Sequence, residues 1–247
     1  MPPPVTDSNG SGYALVLRDV FAGYQQIPVV RNLDLAVRPG EVVALLGPNG
    51  AGKTTTLETI AGLNRPISGA IQLSGEDIGG TPAHLLARRG LALVPEGRAL
   101  FPGLTVREHL RLAGGRGGAQ EGELLEMLPE LQKTLQRKAG LLSGGEQQML
   151  AIGRALVTRP KLLLVDEMSL GLAPVIVERL LPILRRVADE LGASVLFVEQ
   201  HVALALEISD RAYVLTHGRI ALEGAAAELR ERRELLAASY LGEAAAA

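Results

Sequence analysis

The chain has 247 residues, of which 47% are hydrophobic, enough for one large domain with a substantial core. A formal net charge of −2 gives no overall attraction to nucleic acid or anionic lipid, and three Phe without Trp leave little aromatic surface for stacking on bases. The absence of cysteine excludes disulfides and thiolate metal sites and is compatible with a reducing compartment.

Residues 1–12 are rich in Pro, Ser and Gly and lack a basic segment followed by an apolar one. We therefore expect a flexible tail there rather than a signal peptide. Residues 13–243 are predicted to form a single domain, followed by a frayed tail at 244–247. Apolar runs such as Leu162–Val165 are too short to cross a bilayer, so the sequence predicts no membrane span of its own.

The domain begins with two predicted strands, at Tyr13–Val20 and Val29–Val37, where apolar and polar residues alternate. A turn then leads into the apolar run 41–46, which is typical of a buried strand. Tyr24 allows two interpretations. Its ring can stack on an adenine, or it is an edge-strand aromatic that covers the core.

The segment 47–54 reads Gly-Pro-Asn-Gly-Ala-Gly-Lys-Thr and lies between this strand and a predicted helix at Lys53–Leu63. This spacing in this setting is typical of a phosphate-binding loop, the Walker A motif, although a glycine-rich turn that only caps a helix is the alternative. Glycines let consecutive backbone N–H groups surround a phosphate chain, and the positive end of the helix points to the same place. Lys53 supplies a mobile cation for the terminal phosphates, and Thr54 a hydroxyl for Mg²⁺. The predicted nucleotide-binding residues here are Gly47, Pro48, Asn49, Gly50, Ala51, Gly52, Lys53, Thr54 and Thr55.

Two short strands are predicted next, at Ile71–Leu73 and Leu91–Val94, with a helix between them. That helix is predicted to have Thr81 as its N-cap and Pro82 as its first residue. Residues 94–98 then break the regular pattern.

The region from about 97 to 158 is mostly helical in pattern. Thr105 and Glu108 form a predicted capping box, residues 114–118 a flexible glycine-rich loop, and Glu123–Leu135 a helix interrupted at Pro129. Because strands dominate before and after this region, we expect a helical subdomain inserted into an α/β core.

A second distinctive segment, Leu-Ser-Gly-Gly-Glu-Gln-Gln at 142–148, is predicted to open a helix that runs to about Val157. Ser143 and Glu146 form its capping box. The simplest interpretation is a well-capped helix. However, Gly144 and Gly145 each lower helix propensity by about 1 kcal/mol, and they leave N–H groups open to close approach by an anion.

The apolar strand Leu162–Val165 is followed directly by Asp166 and Glu167. In a parallel sheet the carboxyl ends of strands line the ligand crevice. Asp166 is therefore predicted to hold Mg²⁺ through water, and Glu167 to polarise the attacking water. An acidic turn without function is the alternative.

An amphipathic helix is predicted at Pro174–Leu191, with a kink at Pro182, and a buried strand at Ser194–Val198. That strand delivers Glu199, Gln200 and His201 to the same crevice edge, where we expect His201 to be a polar loop residue rather than a phosphate ligand. Strands at Arg211–Thr216 and Arg219–Leu222 are predicted to form a hairpin, and helices to close the chain over 225–241.

These motifs in this order resemble those of ABC-transporter ATPase subunits, over roughly Tyr13 to Gly242. The resemblance implies a P-loop NTPase (RecA-like) α/β core with an antiparallel β subdomain and an inserted α-helical subdomain. It implies ATP and Mg²⁺ as ligands, Tyr24 as the adenine-stacking aromatic, and Ser143, Gly144, Gly145 and Glu146 as the family signature that binds ATP.

The resemblance is stronger still to the smaller ATPase of branched-chain amino-acid importers. The stretches that carry it are Val-Pro-Glu-Gly-Arg at 94–98, Ser-Leu-Gly-Leu-Ala-Pro at 169–174 and Val-Glu-Gln-His at 198–201. Importers of urea and short-chain amides have similar subunits. Glu96, where most relatives have Gln, favours amino acids.

Four positions depart from the common family pattern. Glu96 replaces the Gln that links the metal site to the helical subdomain, so it is a candidate metal-site and catalytic residue. Gln200 aligns with the usual switch His, and it can donate a hydrogen bond to phosphate but cannot carry a proton charge. Ala173 stands where an Asp usually couples two subunits, and Met168 replaces a Pro. We expect this chain's own ATP site to turn over more slowly than its partner's.

The resemblance also implies partners. The signature of one subunit closes over the ATP held by the other's phosphate loop, either in a head-to-tail pair with a related ATPase or with a second copy. The pair would drive an integral-membrane permease at the cytoplasmic face of the membrane, supplied by a solute-binding protein. Alternatives are a soluble ABC ATPase that acts on nucleic acid or ribosomes, and a P-loop kinase. We expect no nucleic acid partner.

Overall fold

The computed structural model describes residues 12–114 and 119–232, together with Glu234 and Leu236. The predicted N-terminal tail before Gly12, the loop after Gly114 and the C-terminal tail lie outside the described residues. The strands are β1 Leu15–Tyr24, β2 Ile27–Val37, β3 Val42–Leu46, β4 Ser68–Leu73, β5 Glu76–Asp77, β6 Leu91–Val94, β7 Leu162–Val165, β8 Ser194–Glu199, β9 Arg211–Thr216 and β10 Arg219–Ala225. The helices are α1 Lys53–Ile60, α2 Ala83–Arg88, α3 Val106–Gly114, α4 Ala119–Met127, α5 Pro129–Gln132, α6 Gly144–Leu156, α7 Pro174–Leu191, α8 Val202–Ile208 and α9 Ala226–Glu231.

A six-stranded sheet in the order β10-β9-β3-β8-β7-β6 forms the centre of the fold. Its strands from β9 to β6 pair in parallel, and β10 pairs antiparallel with β9. Strands β3, β7 and β8 are buried along their whole length, as expected when both faces of a parallel sheet are covered. This explains why their sequences are continuously apolar rather than alternating.

Each face of the central sheet packs into its own core. Val43 and Leu45 of β3 point into one core, which also contains Leu57 and Ile60 of α1. Ala44 and Leu46 point into the other core, which contains residues of α3, α6 and α7. The helices between β6 and β7 therefore lie on the face opposite to α1.

A second sheet, in the order β2-β1-β4-β5, is antiparallel and covers the α1 side of the central sheet. The first strand was predicted at Tyr13–Val20, whereas β1 begins at Leu15 and continues to Tyr24. Register shifts after Leu17, Val20 and Ala22 interrupt the alternation of apolar and polar residues. The alternation therefore predicted an end to the strand that was too early. The extension positions Tyr24 next to α1.

The helix boundaries predicted before residue 225 agree with the structure to within a few residues, with one correction. Helix α8 was not predicted, and the predicted closing helices at 225–241 extend beyond the described residues. The predicted N-cap Thr81 is wrong, because Pro82 caps α2 with an extended backbone and the helix begins at Ala83. The predicted capping box at Thr105 is present, since the Thr105 N–H donates to Glu108 Oε2 at 2.7 Å and the Glu108 N–H to Thr105 Oγ1 at 3.2 Å. Helix α7 continues through Pro182. None of the helices in the described residues has the length and hydrophobicity of a membrane span.

Parallel pairing brings several strand ends to one edge of the central sheet. Leu46, the last residue of β3, pairs with Glu199 at the end of β8, and Val165 at the end of β7 pairs with Phe197. The segments that follow β3, β7 and β8 therefore meet at this edge. They contain the phosphate loop at 47–54, the pair Asp166 and Glu167, and Gln200 with His201.

Candidate functional site

The loop between β3 and α1 depends on glycine for two physical reasons. Gly47 and Gly52 have φ angles of 147° and 107°, a region that side chains strongly disfavour. A methyl group on Gly47 would overlap the Leu215 carbonyl oxygen, and one on Gly52 would lie 2.8 Å from Val30 Cγ2. The loop is thus packed tightly against β9 and β2, which fixes its backbone before any ligand binds.

Gly47→Ala is expected to lower the free energy of unfolding by more than about 2 kcal/mol, because strain and steric overlap add. Gly50→Ala is the matched control, since Gly50 also has a positive φ, 78°, but a methyl group there meets no atom within 4 Å. It should cost only about 1 kcal/mol. Urea unfolding of both variants measures the difference, and equal losses would contradict the packing argument.

Lys53 lies inside the loop with only 4% of its surface exposed. Its Nζ donates to the carbonyl oxygens of Gly47 at 2.9 Å and Pro48 at 3.0 Å, and lies 3.6 Å from Glu167 Oε1. A buried ammonium group is stable only with such partners. The charge of Lys53 is therefore held at the centre of the loop and within reach of the β7 carboxylates.

Asp166 and Thr54 form an oxygen-rich pair beside the loop. Thr54 Oγ1 donates to Asp166 Oδ1 at 3.3 Å. Burial, followed by the neighbouring charges of Glu167, Glu96 and Glu58, raises the pKa of Asp166 to about 6, although the Thr54 hydrogen bond opposes this shift. A hydroxyl and a carboxylate are the kind of ligands that Mg²⁺ takes together with substrate phosphates. In the described part of the chain, no group of three or more His, Asp or Glu is arranged to hold a metal alone. The donor set therefore fits a magnesium ion that is held partly by the nucleotide.

Asp166→Asn is expected to stabilise the fold at neutral pH in the absence of Mg²⁺. Because its pKa is raised, the folded state binds the proton more tightly than the unfolded chain, and stability is lost as pH rises from about 4 through about 6. Removing the buried charge should recover on the order of 2 kcal/mol. Chemical unfolding in EDTA should show a gain that grows as pH rises from about 4 through about 6 and is level at higher pH. A loss of stability at pH 8 would contradict the charge argument.

Glu167 and Gln200 contact each other across the ends of β7 and β8. Gln200 Nε2 donates to Glu167 Oε2 at 2.9 Å, and Glu167 itself has an unusual backbone with a φ of 41°. His201, in contrast, is exposed. It is the N-cap residue of α8, but its side chain makes no capping hydrogen bond. The structure thus brings Gln200, rather than His201, to the carboxylate that the sequence singled out.

Tyr24 stands beside the first turn of α1 and is 48% exposed. Its hydroxyl donates to Glu58 Oε2 at 2.9 Å and lies 3.4 Å from Thr55 Oγ1. It is not among the buried residues of either core. This arrangement leaves ring surface open next to the phosphate loop, which suits the stacking interpretation better than the core-covering one.

The structure leaves Glu96 on the surface. Among the described residues, no hydrogen bond or ion pair holds its side chain, and its link to the site is the charge that contributes to raising the pKa of Asp166. Two residues later Arg98 donates from Nη1 to Gln147 Oε1 at 2.9 Å and from Nε to Gln148 Oε1 at 3.0 Å. The sequence did not identify this connection between the segment after β6 and α6.

The helix start at Ser143 is exposed and well formed. The Ser143 N–H donates to Glu146 Oε2 at 2.7 Å and the Glu146 N–H to Ser143 Oγ at 3.3 Å, and the first of these bonds lowers the pKa of Glu146. The glycines have a packing role that the sequence did not indicate. A methyl group on Gly144 would lie 3.0 Å from Leu172 Cδ2, and one on Gly145 2.7 Å from Ile176 Cγ2. The segment before α7 and its first turn therefore press on the start of α6, whose Ser143 still faces solvent.

The fold and site together define a P-loop ATPase of the cassette type. Residues 30–169 match the ABC transporter family model. The chain belongs to the ABC transporter family, as an ATP-binding subunit that hydrolyses ATP.

Two curated relatives and one solved structure show how close the similarity is. The chain is 43% identical to the high-affinity branched-chain amino acid transport ATP-binding protein BraG of Pseudomonas aeruginosa, over 89% of this chain and 95% of that one. It is 38% identical to the probable branched-chain amino acid transport ATP-binding protein LivF of Archaeoglobus fulgidus, over 86% and 92%. A bacterial ABC transporter cassette solved as a dimer superposes with a TM-score of 0.76 at 27% identity, over 86% and 98%.

Proposed function

We propose that the chain powers a branched-chain amino-acid importer from the cytoplasmic face of the membrane, together with a separate permease and a solute-binding protein. The observation that carries the proposal is the 43% identity, over nearly the whole of both chains, to an ATP-binding protein named for that transport. The stretches at 94–98, 169–174 and 198–201 support the same assignment.

The proposed chemistry is electrostatic positioning of a phosphate chain. The N–H groups of the phosphate loop and Lys53 Nζ bind the phosphates, while Tyr24 stacks on the adenine. Thr54 and Asp166 would hold a magnesium ion, which would neutralise charge on the phosphates. Glu167 orients and polarises the attacking water, and Gln200 fixes the carboxylate by donating to Oε2.

The second half of the ATP site is proposed to come from a neighbouring subunit. Ser143 is exposed at the start of α6, where the helix has its positive end and where first-turn N–H groups have no acceptor within the helix backbone, as an anion site requires. Head-to-tail pairing places this surface over the neighbour's phosphate loop, so that ATP joins the two faces and hydrolysis releases them. Residues 13–243 are proposed as the ATPase domain, in which the inserted helices at about 97–158 pass this motion to the permease.

Reconstitution with the permease and companion ATPase tests the proposed substrate. Leucine, delivered by the solute-binding protein, should stimulate ATP hydrolysis and enter the vesicles in proportion to it. Urea serves as the comparison solute. Stimulation by urea but not by leucine would replace the amino-acid assignment with an amide importer. Association with nucleic acid and not with a permease would overturn transport.

Gln200 and Ala173 lead to a further expectation for an assembled heterodimer. Gln200 lacks the proton charge of the usual His, so this chain's ATP site should contribute less turnover than the companion's. Changing the catalytic Glu to Gln in each subunit in turn measures the two contributions. A smaller loss from the change in this chain is expected, and equal losses would count against the asymmetry.

A further inference from the structure

Glu199 is a buried carboxylate for which the ATPase mechanism has not yet provided a role. It ends β8 with 0% of its surface exposed. Its Oε1 accepts from the Ser169 N–H at 3.0 Å, and its Oε2 accepts from Ser169 Oγ at 2.7 Å, the Gln200 N–H at 3.0 Å and the His201 N–H at 3.4 Å. A buried carboxylate requires this degree of hydrogen bonding, because an unpaired one is very costly.

These bonds connect the two segments that carry the proposed catalytic pair. Ser169 follows Glu167 by two residues, and Gln200 follows Glu199 directly. The Gln200 side chain returns to Glu167 Oε2 at 2.9 Å, so that a closed ring of backbone and hydrogen bonds links the end of β7 to the end of β8. Within this ring, the Glu199 carboxylate accepts hydrogen bonds from both segments: from Ser169 after β7, and from Gln200 and His201 after β8.

The backbone of Glu167 indicates that the ring is under constraint. A φ of 41° is a left-handed conformation that a residue with a side chain disfavours. Such conformations persist where neighbouring contacts determine the backbone. Glu199 supplies such contacts, since it binds both the N–H and the hydroxyl of Ser169 just beyond Glu167.

We propose that Glu199 is a positioning residue for ATP hydrolysis, which fixes the Gln200 amide and the Glu167 carboxylate relative to each other through Ser169. Both oxygens of the Glu167 carboxylate are contacted, since Oε2 accepts from Gln200 Nε2 and Oε1 lies 3.6 Å from Lys53 Nζ. The inference rests on the proposed roles of Glu167 and Gln200, and a small displacement of such a group is enough to reduce turnover by about a hundredfold.

Steady-state MgATP hydrolysis by the full chain tests this role. Glu199→Gln keeps the shape but turns an acceptor into a donor that faces other donors, so kcat should fall by about ten- to a hundredfold. The KM for ATP should change by less than about twofold, because the phosphate loop and Lys53 are untouched. Ser169→Ala removes one donor and keeps the other, so it should lower kcat less and keep the fold. Thermal unfolding verifies that each variant is folded. Glu190→Gln is the matched control, because it makes the same change at an exposed carboxylate.

The double variant Glu199→Gln with Gln200→Ala distinguishes positioning from general destabilisation. Its loss of kcat should be smaller than the product of the two single losses, because both act on the same carboxylate. Losses that multiply, or unchanged kcat in folded Glu199→Gln and Ser169→Ala, would overturn the inference. Glu167→Gln is measured in parallel. If it retains full turnover, the proposed catalytic role of Glu167 fails. If it is inactive while Glu199→Gln is unaffected, only the positioning role fails.

Discussion

We expect Glu167→Gln to abolish ATP turnover and to leave ATP binding intact, which is the largest effect that the site predicts. Glu167 sits at the carboxyl end of β7, beside Asp166 and 3.6 Å from Lys53 Nζ. Gln has the same shape but cannot accept a proton or polarise water to the same extent. General-base groups contribute about 10²- to 10⁴-fold, so kcat should fall by at least a hundredfold.

Hydrolysis and binding are measured on the same preparation of the isolated chain. Phosphate release reports turnover, and calorimetry with MgATP reports affinity. Glu190→Gln is the control, because this exposed carboxylate pairs with Arg186 on α7 and lies outside the proposed site. Turnover of Glu167→Gln equal to that of the unmodified chain would remove Glu167 from its role.

Lys53→Ala is expected to weaken ATP binding by about ten- to a hundredfold, since hydrogen bonds to charged groups contribute about 1.5–3 kcal/mol. The Nζ group lies 2.9 Å and 3.0 Å from two loop carbonyls, which places a single positive charge inside the curve of the loop. Removing it leaves backbone N–H groups as the remaining phosphate ligands of the loop and leaves the Gly47 and Pro48 carbonyls without this donor.

The control for this change is Lys133→Ala, which removes a lysine that the structure leaves exposed after α5. Calorimetric titration with MgATP should show weaker binding for Lys53→Ala only, and thermal unfolding should verify that both variants fold. Normal affinity of Lys53→Ala for ATP would show that the loop does not bind the nucleotide in the way proposed here.

Local chemistry explains why much of the fold was predictable. The phosphate loop, the capping boxes at Thr105 and Ser143, and the buried strands β3, β7 and β8 depend on residues near each other in sequence. Their signals are glycine spacing, paired polar caps and apolar runs. The same segments supplied most of the candidate site, including the Asp166–Glu167 pair.

Other features depend on contacts between distant segments. The need for glycine at 144 and 145 comes partly from Leu172 and Ile176, which no local pattern places there. The contacts of Arg98 with Gln147 and Gln148 span about fifty residues. The sequence pattern did not distinguish Glu199 from other polar residues at strand ends. The available signal was a carboxylate that directly follows the apolar run 195–198, but its partner Ser169 is brought to it only when β7 and β8 pair.

Nucleotide-dependent association tests the central claim most directly, namely that ATP joins the phosphate loop of one subunit to the exposed Ser143 face of another. The Glu167→Gln chain, alone or with an equal amount of the companion ATPase, is followed by light scattering with MgATP or MgADP. We expect a doubling of mass with ATP and not with ADP, and we expect a Ser143→Arg change at the contributing face to prevent it. A mass that stays at one chain while ATP is bound, or pairing that survives that change, would contradict it.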